Sequence, residues 1–302
     1  MLKLNHLTGF GSGASGGGVS GSGYASCGSD WGASGYQDVI DKFPFASNAN
    51  ATDVGDGTLA RDSTAGQSSA DNGYTSGGDS SNLNNIDKFP FASDTNAADV
   101  GDLTVGRHSL AGQQSTTYGY CSGGRTGVDH NVIEKFTFAS DANATDVGDL
   151  SVTRRDLTGQ SSADNGYTSG GYLPYDVVDK FPFSSDTDAA DVGNLTVARA
   201  DPAGQQSTTH GYTSGGDTGS VSDVIDKFPF ASDTDAADVG NLSVTRKGCA
   251  GQSSSANGYT SGGNTGSASN VIDNFPFASD TNALDVGDLT VARYMAVGTQ
   301  ST

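Results

Sequence analysis

The stretch Gly211-Tyr212-Thr213-Ser214-Gly215-Gly216 is followed, after a short gap, by Val224-Ile225-Asp226-Lys227-Phe228-Pro229-Phe230. An acidic segment comes next, Ser232-Asp233-Thr234-Asp235, and then Asp238-Val239-Gly240 running on to Arg246. Six copies of this unit fill nearly all of the chain after residue 22. The first Phe of its F-P-F element (F-T-F in the third copy) falls at Phe43, Phe89, Phe136, Phe181, Phe228 and Phe275, at intervals of 46, 47, 45, 47 and 47. One Tyr per copy keeps the same phase, from Tyr24 through Tyr74, Tyr120, Tyr167 and Tyr212 to Tyr259. One Arg closes each copy: Arg61, Arg107, Arg154, Arg199, Arg246 and Arg293. A fixed period in this range means stacked or ring-forming repeats.

Each unit divides into four short extended pieces: Ala203–Thr208 (a), Gly211–Ser214 (b), Val224–Phe228 (c) and Leu242–Arg246 (d). Gly, Asn, Asp and Pro punctuate the gaps, as turns between strands require. Pro229 has no N–H for a ladder and marks the end of piece c. Piece c carries apolar residues on both parities, Ile225 against Val224 and Phe228, as expected of a sheet covered on both faces. Four strands per unit, with no helical periodicity, predict an all-β six-bladed β-propeller. The N-terminal copy lacks piece a, and the chain ends on Thr299-Gln300-Ser301-Thr302, a remnant of that piece. The ring is therefore expected to close by the C-terminal strand pairing with the first blade, which removes exposed edges. Piece a alternates between Gln-Ser-Ser (Gln67, Gln160, Gln252) and Gln-Gln-Ser (Gln113, Gln205), so the unit of duplication reads as two blades taken three times.

The Gly-Gly after piece b, the aromatic in piece c, the polar turn and the Arg before piece a resemble the kelch repeat over residues 23–302. The resemblance implies four-stranded propeller blades. The kelch Trp after piece c is absent from every copy; the chain's single Trp, Trp31, lies elsewhere, and Val239 and its equivalents are expected to fill that space.

The chain has 302 residues, 44 of them glycine, and a net charge of −20. That charge argues against nucleic acid as a partner, since phosphate binding needs clustered Lys and Arg. It also disfavours adhesion to an anionic bilayer, and no apolar run is long enough to span one, so no membrane insertion is expected. Cys27, Cys121 and Cys249 occupy non-equivalent points of the repeat and read as reduced thiols. Residues 1–22 read as a separate segment, Met1–Phe10 followed by a Gly/Ser-rich linker. The start has no secretory signal, so synthesis in a cytoplasm is expected and the sequons at Asn50 and Asn143 carry no weight.

If the strands meander, the b–c and d–a connections share one rim and the a–b and c–d connections share the other. The c–d turns are near copies of one another. The other set diverges and gathers aromatics and the cations outside the repeated framework. The candidate binding residues are therefore Trp31, Tyr36, His108, Arg125, His130, Arg155, Tyr172, Tyr175, Lys247 and Tyr294, since Tyr, Trp and Arg are the side chains that anchor interfaces. The acidic turns, Asp186, Asp188 and Asp191 for example, invite a calcium reading, but no EF-hand spacing follows, and Asp favours turns on its own account. No cofactor is expected beyond that possibility. The Asp of D-V-G, Asp53 to Asp285, is expected to pair with the repeated Arg or to cap a turn. Gln67, Gln113, Gln160, Gln205 and Gln252, with Thr299, are candidates to ring the central channel, or else to serve as structural amides. No His/Cys cluster or nucleophile elbow appears, and the Tyr and His ligands of kelch-type copper oxidases are not reproduced; no enzymatic activity is expected.

The Gly-rich composition, with its I-D-K-F-P-F and G-Y-T-S-G-G repeats, is similar to virion- or tail-associated proteins of bacteriophages, marine ones among them. That resemblance implies a virion structural module, docked on phage structural proteins through Met1–Phe10 and turning its variable rim to a host glycan or protein. The alternative is an intracellular kelch-like scaffold binding one protein on the same rim.

Overall fold

The computed structural model describes residues 21–30 and 35–301. The expected docking segment, Met1–Phe10, and the linker after it as far as residue 20 lie outside the described residues, as does Trp31; Ser22, the expected end of the linker, opens the first strand. Six four-stranded antiparallel sheets form six blades, with no helix among the described residues. In blade 5 the strands are Ala203–Gln206, His210–Ser214, Val224–Pro229 and Ala237–Asn241, from the axis outward. Blades 2, 3, 4 and 6 follow the same order over 65–102, 111–149, 158–194 and 250–288. Blade 1 takes its innermost strand, Val297–Ser301, from the far end of the chain; it pairs antiparallel with Ser22–Ser26, Ser22 opposite Ser301 and Ser26 opposite Val297. The predicted closure is thus the observed one.

One strand assignment changes. The outer strand is the D-V-G segment, Ala237–Asn241 in blade 5, and not Leu242–Arg246. The Asp238 carboxylate accepts the Gly240 N–H at 3.1 Å, and the register against the third strand shifts between Ile225 and Asp226. This bulge lets a turn-like tripeptide run as an edge strand. Leu242–Arg246 is instead the return to the next blade, with Leu242 and Arg246 buried and Val244 exposed.

The repeated residues build the seams between blades. Tyr212 packs on both Phe residues of blade 6, its ring centroid 5.5 Å from that of Phe275 and 4.8 Å from that of Phe277 in a stacked arrangement. Val239 joins this cluster, partly buried against Tyr212 and Phe275, in line with its expected packing role. The other five seams repeat the aromatic arrangement, ending with Tyr259 on Phe43 and Phe45 of blade 1. Gly211 lies beneath the Phe228 ring, where a Cβ would overlap it.

Each closing Arg crosses a seam fully buried. Arg154 Nη2 lies 2.9 Å from Asp179 Oδ2 of blade 4, and its guanidinium also donates to the carbonyls of Gly170 and Val177. Equivalent pairs join Arg61 to Asp87, Arg107 to Glu134, Arg199 to Asp226, Arg246 to Asp273 and Arg293 to Asp41. The partner is thus the carboxylate of the third strand. The D-V-G carboxylates cap their own turns, from Asp53 on Gly55 to Asp285 on Gly287.

Candidate functional site

The channel is set by six glycines on the innermost strands: Gly66, Gly112, Gly159, Gly204, Gly251 and Gly298. A Cβ on any of them would overlap the carbonyl oxygen of the glycine in the preceding blade. Strand parity then decides the neighbours. Gln67, Gln113, Gln160, Gln205 and Gln252 turn away from the axis and are buried. Each donates its amide to the Tyr carbonyl of the next blade, as Gln205 does to Tyr259 at 3.0 Å. They are structural amides, the second of the two readings the sequence offered, and do not ring the channel. The next residues line the narrow end instead: Ser68, Gln114, Ser161, Gln206, Ser253 and Gln300 surround a cavity of about 40 Å³. The Gln114, Gln206 and Gln300 N–H groups donate to the hydroxyls of Ser161, Ser253 and Ser68 at 3.0, 2.9 and 3.0 Å. Long and short side chains alternating around one axis give the two-blade period a packing use.

At the other end the d–a connections form a second ring. Ser63, Ser109, Asp156, Asp201, Gly248 and Met295 all have φ between 53° and 62°. They are joined head to tail by backbone hydrogen bonds, Ser109 N–H to Ser63 O at 2.7 Å and Asp201 N–H to Asp156 O at 2.8 Å among them; the circle closes from Ser63 N–H to Met295 O at 2.9 Å. This ring opens on a cavity of about 110 Å³ above the axial glycines. Five of the six residues are not glycine, so the left-handed conformation is held by the closed circle of bonds. Burial, and then the Asp156 carboxylate beside it, push Asp201 up to about 8.

Outside that ring each d–a connection pairs with the b–c loop of its blade. Three pairs lie in succession: Asp62 with Asp79, His108 with Arg125, and Arg155 with Tyr172, each joined through the backbone. With Tyr36 of blade 1 they frame an open cavity of about 670 Å³, lined also by Ser29, Gly35, Ser63, Ser109, Asp156 and Met295. The structure thus brings together Tyr36, His108, Arg125 and Arg155. Tyr36 is 40% exposed; partial burial, and then the neighbouring Asp79 and Asp62 carboxylates, raise its pKa. Arg125 and Arg155 share the Asp129 carboxylate at 3.2 and 2.8 Å, and the Arg155 guanidinium lies 3.8 Å from the centre of the Tyr172 ring.

The remaining candidates lie apart from this cavity. Lys247 sits across the axis in an ion pair with Asp217 at 2.6 Å, which raises the pKa of Lys247 and lowers that of Asp217. His130 bonds Thr126 at 2.8 Å, and burial lowers its pKa. Tyr175 anchors its own loop through its backbone, N–H to Gly171 O and O from Arg199 N–H. Tyr294 is buried, its hydroxyl pushed up to about 12 by that burial and by Asp62. Residue-type reasoning missed the carboxylates Asp62, Asp79 and Asp156. Their signal was present, since they too fall in the diverging loops, but acids are so common in this chain that only position distinguishes them.

The turn carboxylates considered for calcium are engaged separately: Asp186 with Lys135, Asp188 with the Asp149 N–H and Asp191 with the Gly193 N–H. Among the described residues no group of three or more His, Cys, Asp or Glu is gathered in a metal-holding arrangement. Burial holds Cys27 and Cys249 at about 11 and Cys121 at about 12, so all three stay as thiols. No helix of the described residues is long and apolar enough to cross a membrane. These features define a β-propeller with an open cavity on one rim, lined by charged side chains of both signs. No protein-family model matches the chain, and no curated protein matches it.

Proposed function

We propose that this protein is a non-enzymatic binding and structural module that presents the b–c and d–a rim to a glycan or protein on a host-cell surface. The observation that carries the reading is a coincidence of two independent features on one rim. The open cavity is framed by loops that all belong to the set that diverges among the six copies. A scaffold fixed at its seams and varied at its loops is the common arrangement for recognition. The mixed signs of the lining and the overall charge of −20 disfavour a nucleic acid. The glycine-rich repeats, which resemble those of phage virion and tail proteins, support the further reading that the module belongs to a virion assembled in a host cytoplasm and works without a cofactor. Kelch-type kinship belongs to the same proposal.

A pull-down from intact bacterial cells tests it. Wild-type protein captures cells of a host strain, and Arg125→Ala or Tyr36→Ala reduces capture without changing the melting temperature. Lys42→Ala on the opposite rim leaves capture intact. Equal loss from substitutions on both rims would overturn the assignment of the rim. Capture of one cytoplasmic protein from a lysate in place of cells would favour an intracellular scaffold.

A further inference from the structure

We infer that the cavity framed by Tyr36, Asp62, Asp79, Arg125 and Arg155 takes an uncharged saccharide, an inference that rests on the recognition role proposed for this rim. The lining holds three carboxylates, Asp62, Asp79 and Asp156, and two guanidiniums, Arg125 and Arg155. Carboxylates only accept hydrogen bonds and guanidiniums only donate them, whereas a hydroxyl does both. Arg155 is paired with Asp129 and Asp156, so the donor and acceptor that a hydroxyl-rich ligand would meet are chiefly Arg125 and Asp79. An anionic ligand would pair with the arginines and leave the carboxylates facing like charge, and a cationic one would meet the reverse.

Two details sharpen this. The Tyr36 ring is 40% exposed and lies beside the Asp79 carboxylate in the lining, so it offers a flat face next to an acceptor. Sugar rings present C–H faces that pack on such a platform while their rim of hydroxyls reaches the acceptor. Arg125 contacts Asp129 through Nη1 alone, at 3.2 Å, with its side chain 36% exposed, which leaves further N–H donors directed to solvent. Across the axis Lys247 pairs with Asp217 and lies outside this cavity.

Saturation-transfer NMR and calorimetry test the inference. The probes are the methyl pyranosides of glucose, galactose, mannose and N-acetylglucosamine, with glucuronic acid as the charged counterpart. The expected result is saturable binding of at least one neutral pyranoside, with glucuronate weaker than methyl glucoside. Tyr36→Ala and Asp79→Asn each lower affinity about tenfold or more, and Lys247→Ala leaves it unchanged. Unaltered thermal melts of the variants show that the loss is local. If no neutral sugar binds while cells are still captured in a manner lost with Arg125→Ala, the saccharide inference falls and rim recognition stands. If neither sugars nor cells bind, both fall. Tighter binding of glucuronate than of methyl glucoside would overturn the uncharged class.

Discussion

The two rims of this ring hang from the same twenty-four strands, yet one is nearly invariant over six copies and the other diverges. The difference lies in which atoms each rim uses. On the invariant rim the c–d turns carry seam contacts through their side chains. Lys227 reaches Asp280 of the next blade at 2.5 Å, and the Asn282 amide oxygen accepts the Asn241 N–H at 3.1 Å. On the diverging rim the connections are joined through backbone atoms, as in the mutual His108 and Arg125 hydrogen bonds at 3.1 and 2.9 Å. Backbone pairing is indifferent to side-chain identity, so these positions can change without opening the ring. The sixth seam makes the same point from the other side. Asn274 stands where the other copies have Lys, and Asn48 stands where they have Asp. Both members of the charged pair were replaced together.

The contrast predicts large effects in the framework and small ones on the diverging rim. The largest is expected on removing residues 297–302. This strips the innermost strand from blade 1, exposes the edge of Ser22–Ser26 and leaves an open ring. Aggregation, or a melting temperature lowered by more than 10 °C, is expected by light scattering and calorimetry; an unchanged melt would contradict closure. Gly159→Val comes next, because the added side chain overlaps the Gly112 carbonyl where no flexible group can give way. Little soluble, cooperatively melting protein is expected.

Arg154→Met leaves Asp179 buried without its cation. Breaking one partner of a buried pair costs about 3–5 kcal/mol, or roughly 10 °C in a domain of this size. The double change Arg154→Met with Asp179→Leu should recover part of that loss, and no recovery would show that the guanidinium matters mainly through its carbonyl contacts.

Asp201 gives a smaller, pH-dependent effect. Its folded pKa of about 8 lies above the ordinary 3.8, so the native state holds a proton that the unfolded chain releases. Stability from this group is present in full below the unfolded value and is lost as pH rises to about 8. Asp201→Asn keeps an uncharged group there. It should match wild type near pH 4 and melt several degrees higher at pH 9; a pH-independent difference would sink the assignment. Least affected in stability should be Tyr36→Ala and Arg125→Ala, within about 0.5 kcal/mol of wild type, as for exposed sites generally. A large loss there would mean that this rim is framework too.

Much of the fold was legible because the copies compare themselves. The Phe, Tyr and Arg phases give the blade count, and the stray Thr299-Gln300-Ser301 gives the closing strand. The outer strand was misplaced because Asp238-Val239-Gly240 has turn chemistry, and only the bulge against Ile225 and Asp226 makes it a strand. For the channel the sequence left two roles open: alternation along a strand sends Gln205 into the seam as a structural amide and Gln206 to the axis, and composition cannot choose between them. In the candidate site, Tyr36, His108, Arg125 and Arg155 were visible as departures from the repeat. Tyr294 departs from the repeat as well but is buried.

The sequence by itself determined the repeat, the strand count per blade, the closure and the rim that varies. Those properties follow from periodicity, and periodicity is a relation within the chain. The tertiary structure decided which Gln faces the axis, which carboxylate meets each Arg, and which of the diverging loops share one cavity. Those are relations between blades, set by parity and by the angle at which neighbouring sheets meet. The circle of six left-handed residues at the channel mouth belongs to the same class. Ser63, Ser109, Asp156, Asp201 and Met295 carry no common sequence signal for that conformation, and each is held there by hydrogen bonds to the residues beside it in the ring.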